Sequence, residues 1–399
     1  MRLPAARRHD VWLLGALLAL AGCGLVLVYS SSAVFAEQRH HDAAYFLKRH
    51  AVVLAMGLTA LALGAYLDFT VWRRLSAPLL MGSLVLLGCT AVPALAARVG
   101  GASRWIHVGP LTFQPSELAK FALLVYLAAF LARRIEQAAR GDRPPIGLQS
   151  ALGFVGPAVV VLVLVGLVLR QPDLGTAALM IAVALLVLFA AGIRKGYLLA
   201  GLLIAAPIGW LLIVKTPWRL KRLLAFVDPW AHRHDVGYQV SESLISVGSG
   251  GIWGQGLGDG KQKLFFLPEA HTDFILAIVG EELGLVGLAA VILLFGVVLW
   301  RGIRAALRAR DAFGAYLALG ITCMMVLGAL IHTGVTLGLL PTKGITLPLV
   351  SYGGSSLLIT LLGAGVLLNI ATGAPEPPRL RVERGASGNR RVLSERVEG

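Results

Sequence analysis

Ten stretches of this sequence are apolar over the thickness of a lipid bilayer, and that pattern leaves few folds open. A helix crossing the hydrocarbon core needs about 20 mainly apolar residues. Candidates fall at roughly 11–35, 50–67, 76–97, 116–132, 148–169, 174–192, 197–215, 273–299, 312–335 and 347–371. Lipid offers backbone amides no hydrogen-bond partner, so such runs are expected as helices. The expected fold is an all-α polytopic integral membrane protein with ten transmembrane helices. Only 14% of the 399 residues are charged, where a soluble domain carries about 25%. The first run is too long for the apolar part of a secretory signal and is followed by more spans, so it is expected as an uncleaved helix.

The net charge of +15 could suggest nucleic acid, but the cations lie at the ends of apolar runs, and no nucleic-acid partner is expected. With the N-terminus inside, the inner segments hold 21 Lys and Arg and the short outer segments hold 7. The long loop 216–272 is set aside, because long loops count little towards orientation. Both termini are therefore expected in the cytoplasm. This gives a tail at 1–10, a membrane domain at 11–372, and a large extracytoplasmic loop at 216–272 between helices 7 and 8. The tail at 373–399, rich in Pro, Gly, Arg and Glu, is expected to be disordered. Cys23, Cys89 and Cys323 lie in apolar runs and read as packed hydrophobes.

Chemistry gathers at the outer ends of the spans. Residues 260–284, GKQKLFFLPEAHTDFILAIVGEELG, pass from a polar loop into an apolar helix with Asp273 at the crossing. Lys261, Lys263, Glu269 and His271 precede it, and Glu281 and Glu282 follow about 12 to 14 Å deeper along a helix. Asp273 could bind a cation, shuttle a proton or act as a base beside an anionic substrate; equally, Thr272 or Asp273 could cap the helix. Residues 100–120 carry Arg104, Trp105 and His107, a Gly109-Pro110 turn, and Pro115 at a helix start that Gln114 or Ser116 could cap. Glu117 and Lys120 then share one helical face, as an internal ion pair or a substrate site. In the long loop, Val240, Leu244, Ile245 and Val247 suit an amphipathic helix on the membrane surface. Its glycines do not make a phosphate-binding GxxxxGK[ST] loop, because Gln262 follows Lys261. Arg170 to Asp173 form a minimal turn between spans, and residues 338–356 form a loop broken by Pro and Gly. No fixed-period repeat is present.

Six segments, in this order, resemble the SEDS family of polytopic bacterial proteins (shape, elongation, division and sporulation). They are SRWIHVGPLTFQPSELAK, RQPDLGTA, RLLAFVDPW, GYQVSESLISVGSGGIWGQGLG, QKLFFLPEAHTDFILAIVGEELG and LPTKGITLPLVSYGGSS. The resemblance covers about residues 11 to 371. Pro341-Thr342-Lys343-Gly344 looks like the division branch, FtsW, rather than the elongation branch, RodA. One departure is His332-Thr333-Gly334, where the family usually has Asn-Ile-Gly.

The resemblance implies an inverting peptidoglycan glycosyltransferase in the bacterial cytoplasmic membrane, at the division septum. Such an enzyme joins lipid II into glycan strands at the outer face and releases undecaprenyl diphosphate. Its implied partners are a class B penicillin-binding protein and other division proteins. Asp273 matches the family's essential aspartate and would take the proton of the acceptor hydroxyl. Arg104, Lys261, Lys263, Lys343 and Lys120, with Glu117 beside the last, are candidates to bind substrate and meet the diphosphate's charge. Ser116, His271 and Ser351 are further binding candidates. No metal ligand set and no cofactor are evident, although a divalent cation could help the diphosphate leave. The alternative is a lipid II flippase without polymerase chemistry, and a third reading is a non-catalytic scaffold.

Overall fold

The computed structural model describes residues 10–92, 95–99, 102–108, 111–140, 151–373, 380–384 and 390–394. The chain is mostly helical. In order come α1 (Val11–His40), α2 (Tyr45–Tyr66), α3 (Thr70–Arg74) and α4 (Ser76–Cys89). Three strands follow, β1 (Ala96–Val99), β2 (Ala102–Val108) and β3 (Leu111–Phe113). Then come α5 (Pro115–Ala139), α6 (Ala151–Arg170), α7 (Leu174–Ala190), α8 (Lys195–Val214), α9 (Pro217–Val227) and α10 (Tyr238–Gly250). The last long helices are α11 (Ile275–Leu307), α12 (Ala312–Thr336) and α13 (Gly354–Thr372). Each of the ten apolar runs overlaps one of these helices, and among the described residues six helices are long and apolar enough to cross a membrane.

Helix α5 lies at the centre. From Phe121 to Ala132 nearly every side chain is buried, and alanines on several faces let α4, α12 and α7 approach. Around it the tightest seam joins α2 to α13, where backbones meet directly. A Cβ on Gly365 would stand 2.1 Å from the Leu61 carbonyl oxygen, so only glycine allows that approach. Helix α8 has no buried residue and lies at the periphery.

Helix α11 is broken. Gly284 takes φ 66°, a left-handed geometry that glycine reaches without steric cost. The loop after α10 fills the gap. Gln255 and Gly256 amides donate to the Glu281 and Glu282 carbonyls at 2.9 and 3.0 Å, and Leu285 and Val286 amides donate to Gly251 and Ile252. Orphaned helix ends at membrane depth are thus satisfied by protein, the condition under which such breaks are tolerated.

Three expectations change. The chain is not purely α, because β1, β2 and β3 form an antiparallel sheet with Ile106 opposite Phe113 and Ala97 opposite Trp105. That sheet also shortens the third span: α4 stops at Cys89 where 97 was expected. Helix α10 turns apolar residues toward the protein: Val240 is buried and Val247 packs against Gly280. Its serine stripe faces inward, with Ser243 donating to the Thr336 carbonyl at 2.8 Å and Ser246 to that of Ala277 at 2.9 Å. Hydroxyls with carbonyl acceptors on α12 and α11 are buried at little cost, which a hydrophobicity pattern does not register. Beyond Gly373, β4 (Leu380–Arg384) and β5 (Arg390–Ser394) pair antiparallel, with Val382 opposite Val392. The other residues beyond Gly373, like the tail at 1–9, lie outside the described residues.

Candidate active site

Two cavities meet at Asp273. The larger, of about 870 Å³, is walled by α2, β3, the start of α5, the loop before α11 and the loop before α13. The smaller, of about 470 Å³, lies between the Pro172–Gly175 turn, α9 and residues 341–344. Arg104, Asp273 and Gly344 line both. They form the shared wall.

Local structure explains how Asp273 reaches that position. The turn from Glu269 returns the chain, with the Thr272 and Asp273 amides both donating to the Glu269 carbonyl. The helix begins two residues later, with Phe274 at the N-cap position and no side-chain cap bond. The capping role open to Thr272 or Asp273 is therefore not taken. Among the described residues the Asp273 carboxylate has no hydrogen bond and no ion pair. Burial raises its pKa to about 7, with Glu269 and Asp173 adding to the rise and Arg222 and Arg104 opposing it. A group that titrates near neutrality without a partner is what general-base chemistry needs.

The smaller cavity is cationic. Arg219, Arg222 and Lys343 line it together with Arg104. Arg104 is gripped by the turn, donating from Nε to the Gln171 carbonyl at 2.7 Å and from Nη2 to that of Pro172 at 2.8 Å. Asp173 is engaged as the cap of α7, accepting from the Thr176 amide at 3.0 Å. Burial lowers the Lys343 pKa; Asp173 works against that, while Arg219 and Arg222 add to it. Burial also lowers that of Arg222. Clustered cations short of counter-charge are primed for an anion.

The larger cavity joins polar and apolar walls. Lys120 pairs with Glu117 at 2.8 Å, one helical turn apart on α5, and both face this space with Glu269 and Arg49. Val52, Met56 and Leu358 supply apolar wall. An amphiphilic ligand would match that mixture.

Not every expected residue arrives. Lys263 is sealed away from both cavities, its ammonium 2.7 Å from Glu282 and 2.5 Å from the Gly258 carbonyl. The Lys261 amide donates to Glu281 at 2.7 Å, and its exposed side chain borders neither cavity. His271 joins an aromatic cluster with Phe46 and Tyr352, and its carbonyl accepts from the Tyr352 amide at 3.0 Å. Ser116 is fully buried and accepts from the Gln114 side chain at 3.0 Å. Ser351 accepts from the Leu347 amide at 2.9 Å. The reasons differ: Lys263 is claimed by a carboxylate and a carbonyl, Ser116 and Ser351 by neighbouring donors, His271 by aromatic packing, and Lys261 points its side chain away from both cavities.

Conversely, Lys48, Arg49, Arg219, Arg222 and Asp173 line the cavities without having been singled out. A signal existed for the cations. Lys48 and Arg49 open the second apolar run on the side where the charge bias expects few cations, and Arg219 and Arg222 follow directly on the seventh.

Comparison with known proteins follows the same lines. The family profile described as "Cell cycle protein" (FtsW, RodA, SpoVE) matches residues 11–375. The chain is 42% identical over 372 residues to the "Probable peptidoglycan glycosyltransferase FtsW" of Geobacter metallireducens, covering 93% of this chain and 97% of that protein. It is 44% identical over 370 residues to the protein of the same name from Trichlorobacter lovleyi, covering 93% and 95%. Among solved structures, it superposes on a chain of a peptidoglycan synthase complex that coordinates polymerization and crosslinking, with a TM-score of 0.73, 30% identity and coverage of 91% and 98%. The rod shape determining protein RodA of Thermus thermophilus gives a TM-score of 0.68 at 29% identity, covering 93% and 99%.

Proposed function

Because the chain belongs to the FtsW, RodA and SpoVE family of cell cycle proteins, we propose that it is a peptidoglycan glycosyltransferase that polymerises lipid II in septal wall synthesis. The observation that carries this reading is Asp273, without a partner among the described residues and with its pKa raised to about 7, between a cationic cavity and an amphiphilic one. In this scheme the smaller cavity holds the donor's diphosphate against Arg104, Arg219, Arg222 and Lys343. The acceptor sugar enters from the larger cavity. Its hydroxyl gives a proton to Asp273 as oxygen attacks the anomeric carbon and the bond to undecaprenyl diphosphate breaks. Attack opposite the leaving group inverts an α-linked donor to a β-linked product. The cations meet the charge that develops on the diphosphate, which leaves without protonation.

No cofactor is invoked; a divalent ion, if used, would arrive with the diphosphate. The arrangement calls for ten spans, cytoplasmic termini and an extracytoplasmic segment 216–272. In a cysteine-free background, outside labelling then modifies position 233 and spares position 140. The partner that crosslinks the product is a class B penicillin-binding protein, bound partly through the lipid-facing sides of α11 and α12, in the cytoplasmic membrane at the septum.

The test is gel analysis of labelled lipid II incubated with the purified protein and its penicillin-binding partner. Glycan ladders are expected. Translocation of lipid II across vesicles without ladders would instead establish the flippase alternative.

A further inference from the structure

His332 lies on α12, outside both cavities, and the mechanism does not use it. It is 1% exposed. Its Nδ1 lies 2.9 Å from the carbonyl oxygen of Ile345. A carbonyl only accepts, so the proton is on Nδ1 and the ring donates. Among the described residues Nε2 has no hydrogen-bond partner, and the ring is committed to this one bond.

Ile345 closes a tight turn. Its amide donates to the Lys343 carbonyl at 2.9 Å, which makes Gly344 the apex of a three-residue turn. A Cβ on Gly344 would stand 3.3 Å from Asp273 Oδ2, so the apex faces the carboxylate and any side chain there would crowd it. Lys343, at the other end of the turn, lines the cationic cavity. The Ile345 side chain is wedged against the start of α7, where a Cβ on Gly175 would come within 2.9 Å of Cγ1. Ile345 is thus fixed on three sides: by its own turn, by α7 and by His332.

We propose that His332 is a positioning residue whose Nδ1–H bond to Ile345 holds the Lys343–Ile345 turn in register with Asp273. The catalytic part of this claim rests on the polymerase reading; the anchoring part does not. A turn released by even an ångström would move Gly344 off the carboxylate and Lys343 off the diphosphate together.

Side-chain geometry supplies the test. In asparagine the amide nitrogen is as many bonds from Cα as Nδ1 is in histidine; in glutamine it matches Nε2, which points elsewhere. His332→Asn should keep the anchor, while His332→Gln and His332→Leu should lose it. Each variant is purified with its penicillin-binding partner, beside the wild type and Asp273→Asn. Two quantities are read: hydrogen exchange of the Ile345 amide, and kcat and KM per folded molecule on lipid II. The anchor predicts faster Ile345 exchange in the Gln and Leu variants than in wild type and Asn. It also predicts kcat lowered by about 10- to 100-fold in those two, the cost of roughly ångström misplacement, with Asn retaining most of the rate. A merely structural histidine would lower folded yield and leave kcat per folded molecule unchanged. Unchanged Ile345 exchange in the Gln variant, or equal loss in Asn and Gln, overturns the proposal. Should the Leu variant not fold, Asn against Gln decides. A wild type that makes no glycan defeats the polymerase reading alone, since the exchange measurement still judges the anchor.

Discussion

Asp273 and the pair Glu281–Glu282 lie within ten residues of one another, yet the fold treats them in opposite ways. Glu281 accepts from the Lys261 and Gln262 amides and from Ser246. Glu282 accepts from Lys263 at 2.7 Å and from Ser30 at 2.7 Å. Both are 1% exposed. Their charges are fully used in tying the loop after α10 to α11 and to α1. Asp273 has neither hydrogen bond nor ion pair among the described residues and faces two cavities. A saturated carboxylate holds structure together; a carboxylate left unsatisfied at a cavity is available for a proton. A second contrast sharpens this: Lys263–Glu282 is closed off, while Lys120–Glu117, with the same chemistry, faces the larger cavity.

The largest expected effect tests the first contrast. Asp273→Asn keeps size and polarity and removes only the charge, so expression and partner binding should be normal. Polymerisation should fall by about 10²- to 10⁴-fold, as for loss of a general base. A well-folded Asp273→Asn protein that still builds long glycan strands would falsify the assignment.

Next comes the sealed pair. Lys263→Met leaves Glu282 buried without its cation and should cost about 3–5 kcal/mol of stability. Lys263→Met with Glu282→Leu should be milder, because no lone charge stays buried. Thermal unfolding in detergent measures both, and equal loss in single and double variants would break the contrast with Asp273.

The cavity-facing pair should respond through rate. Glu117→Gln with Lys120→Met should fold, and it should polymerise as poorly as either single variant, slower by about 10- to 100-fold. That is the equivalent of one charged hydrogen bond of about 1.5–3 kcal/mol. An active double variant would return the pair to a structural role.

The smallest effect is in pH. A base with a pKa near 7 must be ionised, so the rate should drop about tenfold per pH unit below that value. Stability runs the other way. The Asp273 pKa is raised from 3.8 to about 7, so the folded protein holds a proton that the unfolded chain releases. The stabilisation is fully present below pH 3.8 and is lost as pH rises through 7. Asp273→Asn should flatten both profiles, read by initial rates and by thermal unfolding across pH 5 to 9.

Much of the molecule is legible in the sequence. Apolar run length locates the helices because lipid leaves the backbone no other partner. The motifs around Asp273, Glu117, Lys120, Arg104 and Lys343 lead to residues that do line the cavities. Asp273 itself stands out by position alone, a carboxylate where polar loop becomes apolar helix. Tertiary structure decided which polar groups would be free. Lys263 and Lys343 look alike in sequence, each a lysine in a glycine-bearing loop. Lys263 meets a buried glutamate whose desolvation it must offset, and Lys343 meets an open cavity. Likewise Ser243 and Ser246 face inward because carbonyls of Thr336 and Ala277, far along the chain, wait for donors there. Composition and periodicity report what each residue would give up on leaving water. Whether a partner compensates it depends on segments tens to hundreds of residues away, and only packing brings those together.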